Sequence, residues 1–304
     1  MSSSPPDGFT VRPVTPADAP SVNALVVAAD EAVQGWSDST EADLTEWWRE
    51  VELGPDSWVI EDDASPIAYG VLYPHGEIAD LDCYVHPDRK GRGLGTWLLA
   101  RGEERARERG LPKAHAWALA PDEDARRLFE LRGFSEVRRY YRMLIDMDAA
   151  PAEAEWPEGF RVDTLSLEDA KAFYDAVNEA FADEWNWVSQ PFERWLELRV
   201  HAPDVDLSLW FIVREGDEIA AVLRGDAHRF DSGWVGVIGV RKPWRKRGLG
   251  LALLQHAFGE FYRRGETRVA LGVDAENSTG ATRLYERAGM RVASEAVTFE
   301  KELS

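Results

Sequence analysis

The sequence predicts an α/β protein that contains two copies of one domain, and three observations support this. Strand-like and helix-like hydrophobic periods alternate along the chain. The length of 304 residues fits two domains of ordinary size. Landmarks also recur in the same order, which indicates a tandem duplication rather than a solenoid. Gly8-Phe-Thr-Val-Arg recurs as Gly159-Phe-Arg-Val-Asp, Gly93-Leu-Gly as Gly248-Leu-Gly, and Leu128-Phe-Glu-Leu-Arg-Gly as Leu284-Tyr-Glu-Arg-Ala-Gly.

A segment rich in Ala, Pro and Glu at residues 149–158 has the composition of a linker. We therefore predict an N-terminal domain over residues 1–150 and a C-terminal domain over residues 151–304.

Each copy has the same predicted order of elements. A short strand precedes a helix with an Asp-containing cap, an irregular second helix, two alternating strands and an apolar strand. The apolar strand leads into a basic, Gly-rich turn and a long helix, followed by a strand, a short helix and a closing strand. In the first copy the strands are predicted at residues 10–13, 57–61, 67–73, 78–85 and 113–119, and the later helices at 95–109 and 122–132. In the second copy the strands are predicted at 161–164, 209–214, 218–225, 233–240 and 268–273, and the later helices at 250–264 and 279–288.

Composition and charge limit the classes of partner. The chain has 55 acidic and 35 basic residues, a formal charge of −20, and a hydrophobic fraction of 44%, which is enough for real cores. Such acidity argues against nucleic acid or an anionic membrane as the main partner. The first residues lack the pattern of a signal peptide, and no stretch is apolar enough to span a membrane. Cys83 is the single cysteine, and we expect a buried structural thiol, no metal site and a cytoplasmic protein.

The basic turn of the second copy carries the clearest chemical signal. Val240-Arg-Lys-Pro-Trp-Arg-Lys-Arg-Gly-Leu-Gly250 follows an apolar strand and opens a long helix. Glycines let the backbone turn tightly, and the free amides and dipole of a helix N-terminus attract anions. The segment therefore predicts a cradle for a pyrophosphate group.

These residues resemble the GNAT N-acetyltransferase superfamily, whose signature is Gln/Arg-x-x-Gly-x-Gly/Ala. Arg245-Lys-Arg-Gly-Leu-Gly250 matches that signature, and Asn277 followed by Tyr285 matches the family's downstream segment, with Met290 in place of its final Phe. The resemblance implies two tandem domains, each a mixed, largely antiparallel twisted sheet flanked by helices. It also implies acetyl-CoA as the acetyl donor and a small-molecule or peptide amine as the acceptor.

The resemblance assigns roles in the second copy. Backbone amides of the turn would hold the CoA pyrophosphate, the strand before it would pair with the pantetheine arm, and Asn277 would bind that arm. Tyr285 would give a proton to the departing thiolate, in a direct attack by the amine within a ternary complex. The cofactor-binding residues that the resemblance implies are Ile238, Gly239, Val240, Arg245, Lys246, Arg247, Gly248, Leu249, Gly250, Leu251 and Asn277.

The first copy departs from the signature. Phe129 stands where the second copy has Tyr285, and Pro121 stands where it has Asn277, so that copy lacks the phenol and the amide. We expect catalysis in the second copy and a degenerate, possible second cofactor site in the first. That site comprises Val85, Lys90, Gly91, Arg92, Gly93, Leu94, Gly95 and Thr96.

The acceptor and the general base stay open at this stage. Trp185, Trp187, Trp195 and Trp210, with acids interleaved, suit either a groove for a cationic amine or ordinary packing. Mycothiol synthases have a similar tandem layout, but they place a Glu where this chain has Trp234. The remaining alternatives are a mycothiol-synthase-like enzyme and a non-catalytic CoA-binding regulatory module. The oligomeric state is not determined by these patterns.

Overall fold

The chain divides into two compact units in the computed structural model, which describes residues 8–203, 205–277 and 279–303. The first unit comprises Met1–Tyr140 and Glu295–Ser304, and the second comprises Tyr141–Ser294.

The first unit alternates strands and helices in the predicted order. Its strands are β1 (Thr10–Arg12), β2 (Ser57–Asp62), β3 (Ser65–His75), β4 (Ile78–Val85), β5 (Lys113–Leu119) and the beginning of β6 (Ser135–Asp146). Its helices are α1 (Ala19–Gln34), α2 (Glu41–Trp48), α3 (Leu53–Asp56), α4 (Leu94–Glu108) and α5 (Glu123–Leu131).

The second unit repeats this order. Its strands are the end of β6, β7 (Phe160–Thr164), β8 (Trp210–Glu215), β9 (Glu218–Arg229), β10 (Ser232–Val240), β11 (Arg268–Asp274) and the beginning of β12 (Arg291–Glu302). Its helices are α6 (Ala170–Phe181), α7 (Phe192–Trp195), α8 (Leu249–Arg263) and α9 (Ala281–Arg287).

The sheet of the first unit is mixed and largely antiparallel. Strands β1 to β4 pair antiparallel with their neighbours, whereas β4 and β5 are parallel from Ile78↔Lys113 to Leu81↔Ala116. The end of β12 then pairs antiparallel with β5, from Ala296↔Leu119 to Glu302↔Lys113. The predicted fold class is confirmed.

Helices cover the two faces of this sheet because apolar side chains alternate along its strands. Val22 and Leu25 of α1, with Trp48 of α2, pack on one face. Leu98 of α4 and Phe129 of α5 pack on the other. Cys83 is partly buried against the second of these clusters, and burial raises the pKa of its thiol.

In the second unit, β7 to β10 pair antiparallel with their neighbours, and β10 and β11 are parallel. One continuous core is filled by large side chains that are almost fully buried, and the largest are Trp210, Phe173, Phe211, Phe258 and Phe261.

The compact units differ from a simple division of the chain. Residues 295–303 lie in the first unit, because Val297 and Phe299 of β12 pack in its core. Hydrophobic alternation predicts a strand but not which strand it pairs with, so it does not assign β12 to the first unit. The division into domains at residues 1–150 and 151–304 stays a prediction. Within the described ranges, no helix is long and apolar enough to cross a bilayer.

Candidate functional site

Strands β10 and β11 are paired only near their beginnings. Their parallel pairing covers Gly233↔Val269 and Trp234↔Ala270, whereas β10 continues to Val240. The backbone of residues 238–240 therefore pairs with β9 on one side and has no β11 partner in that register on the other. Ile238, Gly239 and Val240 are the residues that the sequence predicts to pair with an extended ligand arm, and that pairing stays a prediction.

The end of α6 lies against this stretch of β10. A Cβ atom on Gly239 would stand 2.8 Å from the Cβ of Ala180, so only glycine allows this approach without a shift. The close approach fixes α6 beside the opening.

The Gly-rich turn delivers the chain from β10 into α8. Gly248 is the N-cap residue of α8 and has a φ of 89°, in the left-handed region that favours glycine. The first bond of the helical ladder runs from the amide of Ala252 to the carbonyl of Gly248, at 3.2 Å. The amides of Leu249, Gly250 and Leu251 thus precede the ladder and form the positive end of the helix dipole.

Acids brought by other elements neutralise much of the basic turn. Arg241 binds Glu179 at 2.7 Å, Lys242 binds Asp183 at 2.7 Å and Arg247 binds Glu215 at 2.7 Å. These acids come from α6, from the loop after it and from β8, so the sequence of the turn did not reveal them.

Arg245 and Lys246 behave differently from those three residues. The Arg245 guanidinium donates to the carbonyls of Val240, at 3.1 Å, and Ala180, at 3.0 Å, and so ties β10 to α6. Lys246 is exposed, has a φ of 63°, and makes no ion pair with the described residues. Of the five basic side chains in the turn, Lys246 is the one left to meet an anion directly.

Asn277 contacts Glu184 in the second unit, and the charge of Glu184 acts on Tyr285. The Asn277 amide nitrogen donates to both carboxylate oxygens of Glu184, at 2.9 and 3.0 Å. Its carbonyl oxygen accepts from the backbone of Thr279 at 2.8 Å. The side-chain amide expected to bind the pantetheine arm is thus engaged by Glu184.

Tyr285 lies on α9 and is 7% exposed. Its ring packs in the core, and its hydroxyl makes no hydrogen bond with the described residues. Burial raises the pKa of Tyr285 well above its usual value, and the negative charge of Glu184 raises it further. The phenol therefore keeps its proton throughout the physiological pH range.

The first unit has the same glycine-rich turn but lacks a phenol at the position that corresponds to Tyr285. Gly91 and Gly93 have φ values of 77° and 80°, and Gly93 is the N-cap residue of α4. Lys90 lies 3.7 Å from Asp122 at the start of α5. Phe129 is buried in the core at the position that corresponds to Tyr285. The remaining residues of the possible second cofactor site occupy the end of β4, the turn and the first turn of α4: Val85, Arg92, Leu94, Gly95 and Thr96.

The tryptophans of the second unit fall into two groups. Trp210 is fully buried, and Trp195 stacks with Phe173, so both belong to the core. Trp187 is 37% exposed and lies 4.8 Å from Phe181 between ring centroids. Trp187 is therefore the tryptophan of this set that is best placed to contact a ligand.

Trp234 stands where the resemblance to mycothiol synthases predicts a Glu. The guanidinium of Arg142 lies 4.6 Å from the Trp234 ring centroid and 4.3 Å from that of Phe230. At that point of β10 the chain therefore has a packed cation–π contact and no carboxylate. In the part of the chain that the structure describes, no group of three or more potential ligands could hold a metal ion.

Comparison with known proteins gives a consistent result. Residues 23–134 and 170–290 match the model of the acetyltransferase (GNAT) family. The chain is 34% identical over 236 residues to a mycothiol acetyltransferase of Streptomyces scabiei (strain 87.22), covering 75% of this chain and 71% of that protein. A GCN5-related N-acetyltransferase from Sphaerobacter thermophilus superposes with a TM-score of 0.87 at 37% identity, covering 99% of this chain and 97% of that one. A tandem GNAT protein from the clavulanic acid biosynthesis pathway shares the fold, with a TM-score of 0.73 at 18% identity over 97% of this chain and 99% of that one.

Proposed function

Because the chain belongs to the acetyltransferase (GNAT) family, we propose that its second unit moves the acetyl group of acetyl-CoA to a primary amine. One observation carries the assignment to this unit. The opening beside β10 leads directly to the glycine turn, and the same unit contains Tyr285, whereas the first unit has Phe129 at that position.

Backbone groups supply most of the binding in this proposal. The amides of Leu249, Gly250 and Leu251 hold the pyrophosphate, and the exposed Lys246 adds a positive charge. The backbone of residues 238–240 pairs with the extended pantetheine arm as a further strand would. The Val240 amide polarises the thioester carbonyl in this proposal.

Tyr285 and Glu184 divide the proton transfers. The acceptor arrives as an ammonium ion and gives one proton to the Glu184 carboxylate. Its nitrogen then forms a bond to the acetyl carbon as the carbon–sulfur bond breaks. Tyr285 gives its phenolic proton to the departing thiolate, and the second proton, which the new amide nitrogen loses, restores the phenol of Tyr285. Asn277 holds Glu184 in place through two hydrogen bonds, which is the contact that supports this role.

Replacement of Tyr285 by Phe tests the proposal. We expect thiol release from acetyl-CoA in the presence of an accepted amine to fall by about 10²- to 10⁴-fold, because the leaving thiolate loses its proton donor. Affinity for acetyl-CoA, measured by calorimetry, should stay within about twofold, since backbone amides supply the binding. The accepted amine comes from a screen of thiol release over simple amines, polyamines, aminoglycosides and peptides.

Tyr262→Phe is the matched control, because Tyr262 packs on the same core from α8. That variant should keep normal turnover. If Tyr285→Phe also kept normal turnover, the assigned acid role would be wrong. If calorimetry detected no acetyl-CoA binding to the unmodified chain, the whole proposal would fail.

A thiol-bearing amino sugar is the second candidate acceptor. It is favoured by the relatives named mycothiol acetyltransferase, which include the 34% identical protein of Streptomyces scabiei (strain 87.22). The Trp234–Arg142 stack argues for a different acceptor, because it leaves that point of β10 without a carboxylate. A preference of at least about tenfold in kcat/KM for the amino sugar over simple amines would favour the second candidate.

A further inference from the structure

Asp82, on β4 of the first unit, is a buried carboxyl group without a cationic side chain beside it in the described part of the chain. The residue is 7% exposed, and its one side-chain hydrogen bond comes from the indole nitrogen of Trp117, at 3.0 Å. Three other buried carboxyl groups of this unit are paired with cations: Asp18 with Arg12, Asp56 with Arg105 and Arg109, and Glu103 with Arg132 and Lys301. A buried carboxylate without a counter-charge is costly, so the environment of Asp82 requires an explanation.

Aromatic rings surround Asp82. Tyr69 and Tyr84 stack with ring centroids 6.4 Å apart, and Trp117 meets Tyr84 edge-on at 6.0 Å. Trp48 lies behind Tyr69, at 6.1 Å. Trp117 is 37% exposed, so this group reaches the protein surface. We call Asp82, Tyr69, Tyr73, Tyr84 and Trp117 the Asp82 cluster.

The titratable groups that act on the cluster are acidic or neutral. Burial raises the pKa of Asp82 to about 7, and the negative charges of Asp30 on α1 and Asp80 on β4 contribute to the rise. Asp82 in turn helps to raise the pKa of three tyrosines and of the neighbouring thiol: Tyr69, Tyr73, Tyr84 and Cys83. His115, two residues before Trp117, is engaged by Asp80 at 3.3 Å and by Glu300 at 3.1 Å.

We propose that the Asp82 cluster is a binding site for an organic monocation of the alkylammonium class. The carboxylate of Asp82 supplies the counter-charge, and the faces of Tyr84 and Trp117 contact the alkyl part and the charge together. The bound ligand provides the positive charge that no described side chain supplies beside Asp82. This unit lacks the phenol of Tyr285, so the site is one of recognition and is separate from the acetyl transfer proposed for the second unit.

Titration of the full chain with n-butylammonium tests this site, and n-butanol is the neutral counterpart. Because the second unit is also proposed to take an amine, the titration uses the Glu184→Gln protein and its Glu184→Gln/Asp82→Asn derivative. We expect calorimetry at pH 8 to show butylammonium binding that weakens at least about tenfold on Asp82→Asn. Affinity should rise as the pH rises through 7, because the carboxylate form binds, and binding should release protons to the buffer.

Three results would overturn the proposal. These are equal binding with Asp82→Asn, equal binding of n-butanol, and no butylammonium binding by the Glu184→Gln protein. Thiol release by the second unit should be unaffected by Asp82→Asn alone, so failure of this site is distinguishable from failure of the acetyltransferase proposal. The far-ultraviolet circular dichroism of each variant confirms that it is folded.

Discussion

At the scale of single residues, the charged groups of the basic turn are mostly committed to the protein itself. Arg241 and Arg247 pair with Glu179 and Glu215, and Arg245 binds two carbonyl oxygens. Neutralised side chains attract a polyanion weakly, so we expect the amides of the helix N-terminus to carry the larger share of recognition in the proposed site. The glycines are therefore more diagnostic of the proposed site than the arginines.

Asp82 gives a prediction at this scale. Its pKa is raised by burial to about 7 in the folded chain, whereas an unfolded Asp titrates near ~3.9. The folded state therefore holds this proton more tightly, and the stability present below pH ~4 is lost as the pH rises to about 7. We expect Asp82→Asn to be more stable than the unmodified protein at pH 8, with a smaller difference at pH 5. Urea unfolding at both pH values measures this.

The pKa of His115 is also raised, so its contribution to stability changes with pH in the same direction as that of Asp82. Burial lowers the pKa of His115, but hydrogen bonds with Asp80 and Glu300 outweigh burial and raise it overall. The contribution of His115 to stability is also lost as the pH rises above ~6.5. His115 is present both in Asp82→Asn and in the unmodified chain, so it contributes equally to the two. A pH effect of equal size in Asp82→Asn and the unmodified chain would show that Asp82 does not cause it.

At the scale of elements, the cradle depends on the join between a strand and a helix. Gly248 adopts the left-handed conformation that turns the chain from β10 into α8, and this orients the first three amides of the helix. A residue with a Cβ atom at this position costs about 1–2 kcal/mol in the left-handed conformation. Relaxation of that backbone strain would move the turn.

Gly248→Ala is the corresponding prediction, and Gly265→Ala is its control. The two glycines have φ values of 89° and 91°, and Gly265 follows the other end of α8, with nothing within 4 Å of an added Cβ. Both variants should lose about 1–2 kcal/mol of stability. Calorimetry should show acetyl-CoA affinity reduced about tenfold in Gly248→Ala alone. Equal affinities in the two variants would remove the turn from the binding site.

At the scale of the whole molecule, each compact unit takes residues from both halves of the sequence. The end of β12 pairs with β5 in the first unit, and the end of β6 belongs to the second unit. Phe299 is 1% exposed and lies 5.3 Å from Phe129 between ring centroids. The last residues of the chain are therefore needed to complete the core of the first unit.

Phe299→Ala tests this arrangement. We expect a loss of about 3–5 kcal/mol, because a fully buried ring leaves a cavity. Hydrogen exchange should accelerate at β4 and β5 of the first unit. Phe258→Ala, in the core of the second unit, should instead accelerate exchange at β8 and β9. Faster exchange confined to the second unit in Phe299→Ala would contradict the assignment of β12.

Much of the fold could be predicted because its signals are local. The predicted strand at residues 233–240 is β10, and the predicted helix at 250–264 is α8, each within one residue at either end. Alternation, caps and glycines act between residues that are close in sequence. The contact of Glu184 with Asn277 could not be predicted in this way, because no periodic pattern connects two loops so far apart.

The sequence by itself determined the duplication, the mixed α/β fold, the glycine turn and the difference between Tyr285 and Phe129. Tertiary structure alone decided which acids neutralise the basic turn, where β12 ends and why Asp82 has no counter-charge beside it among the described residues. Backbone conformation is set mainly by neighbours along the chain, whereas charge pairing and burial depend on which distant segments meet. For that reason the sequence shows the basic turn as a run of positive charges, whereas in the folded chain acids from other elements neutralise most of those charges.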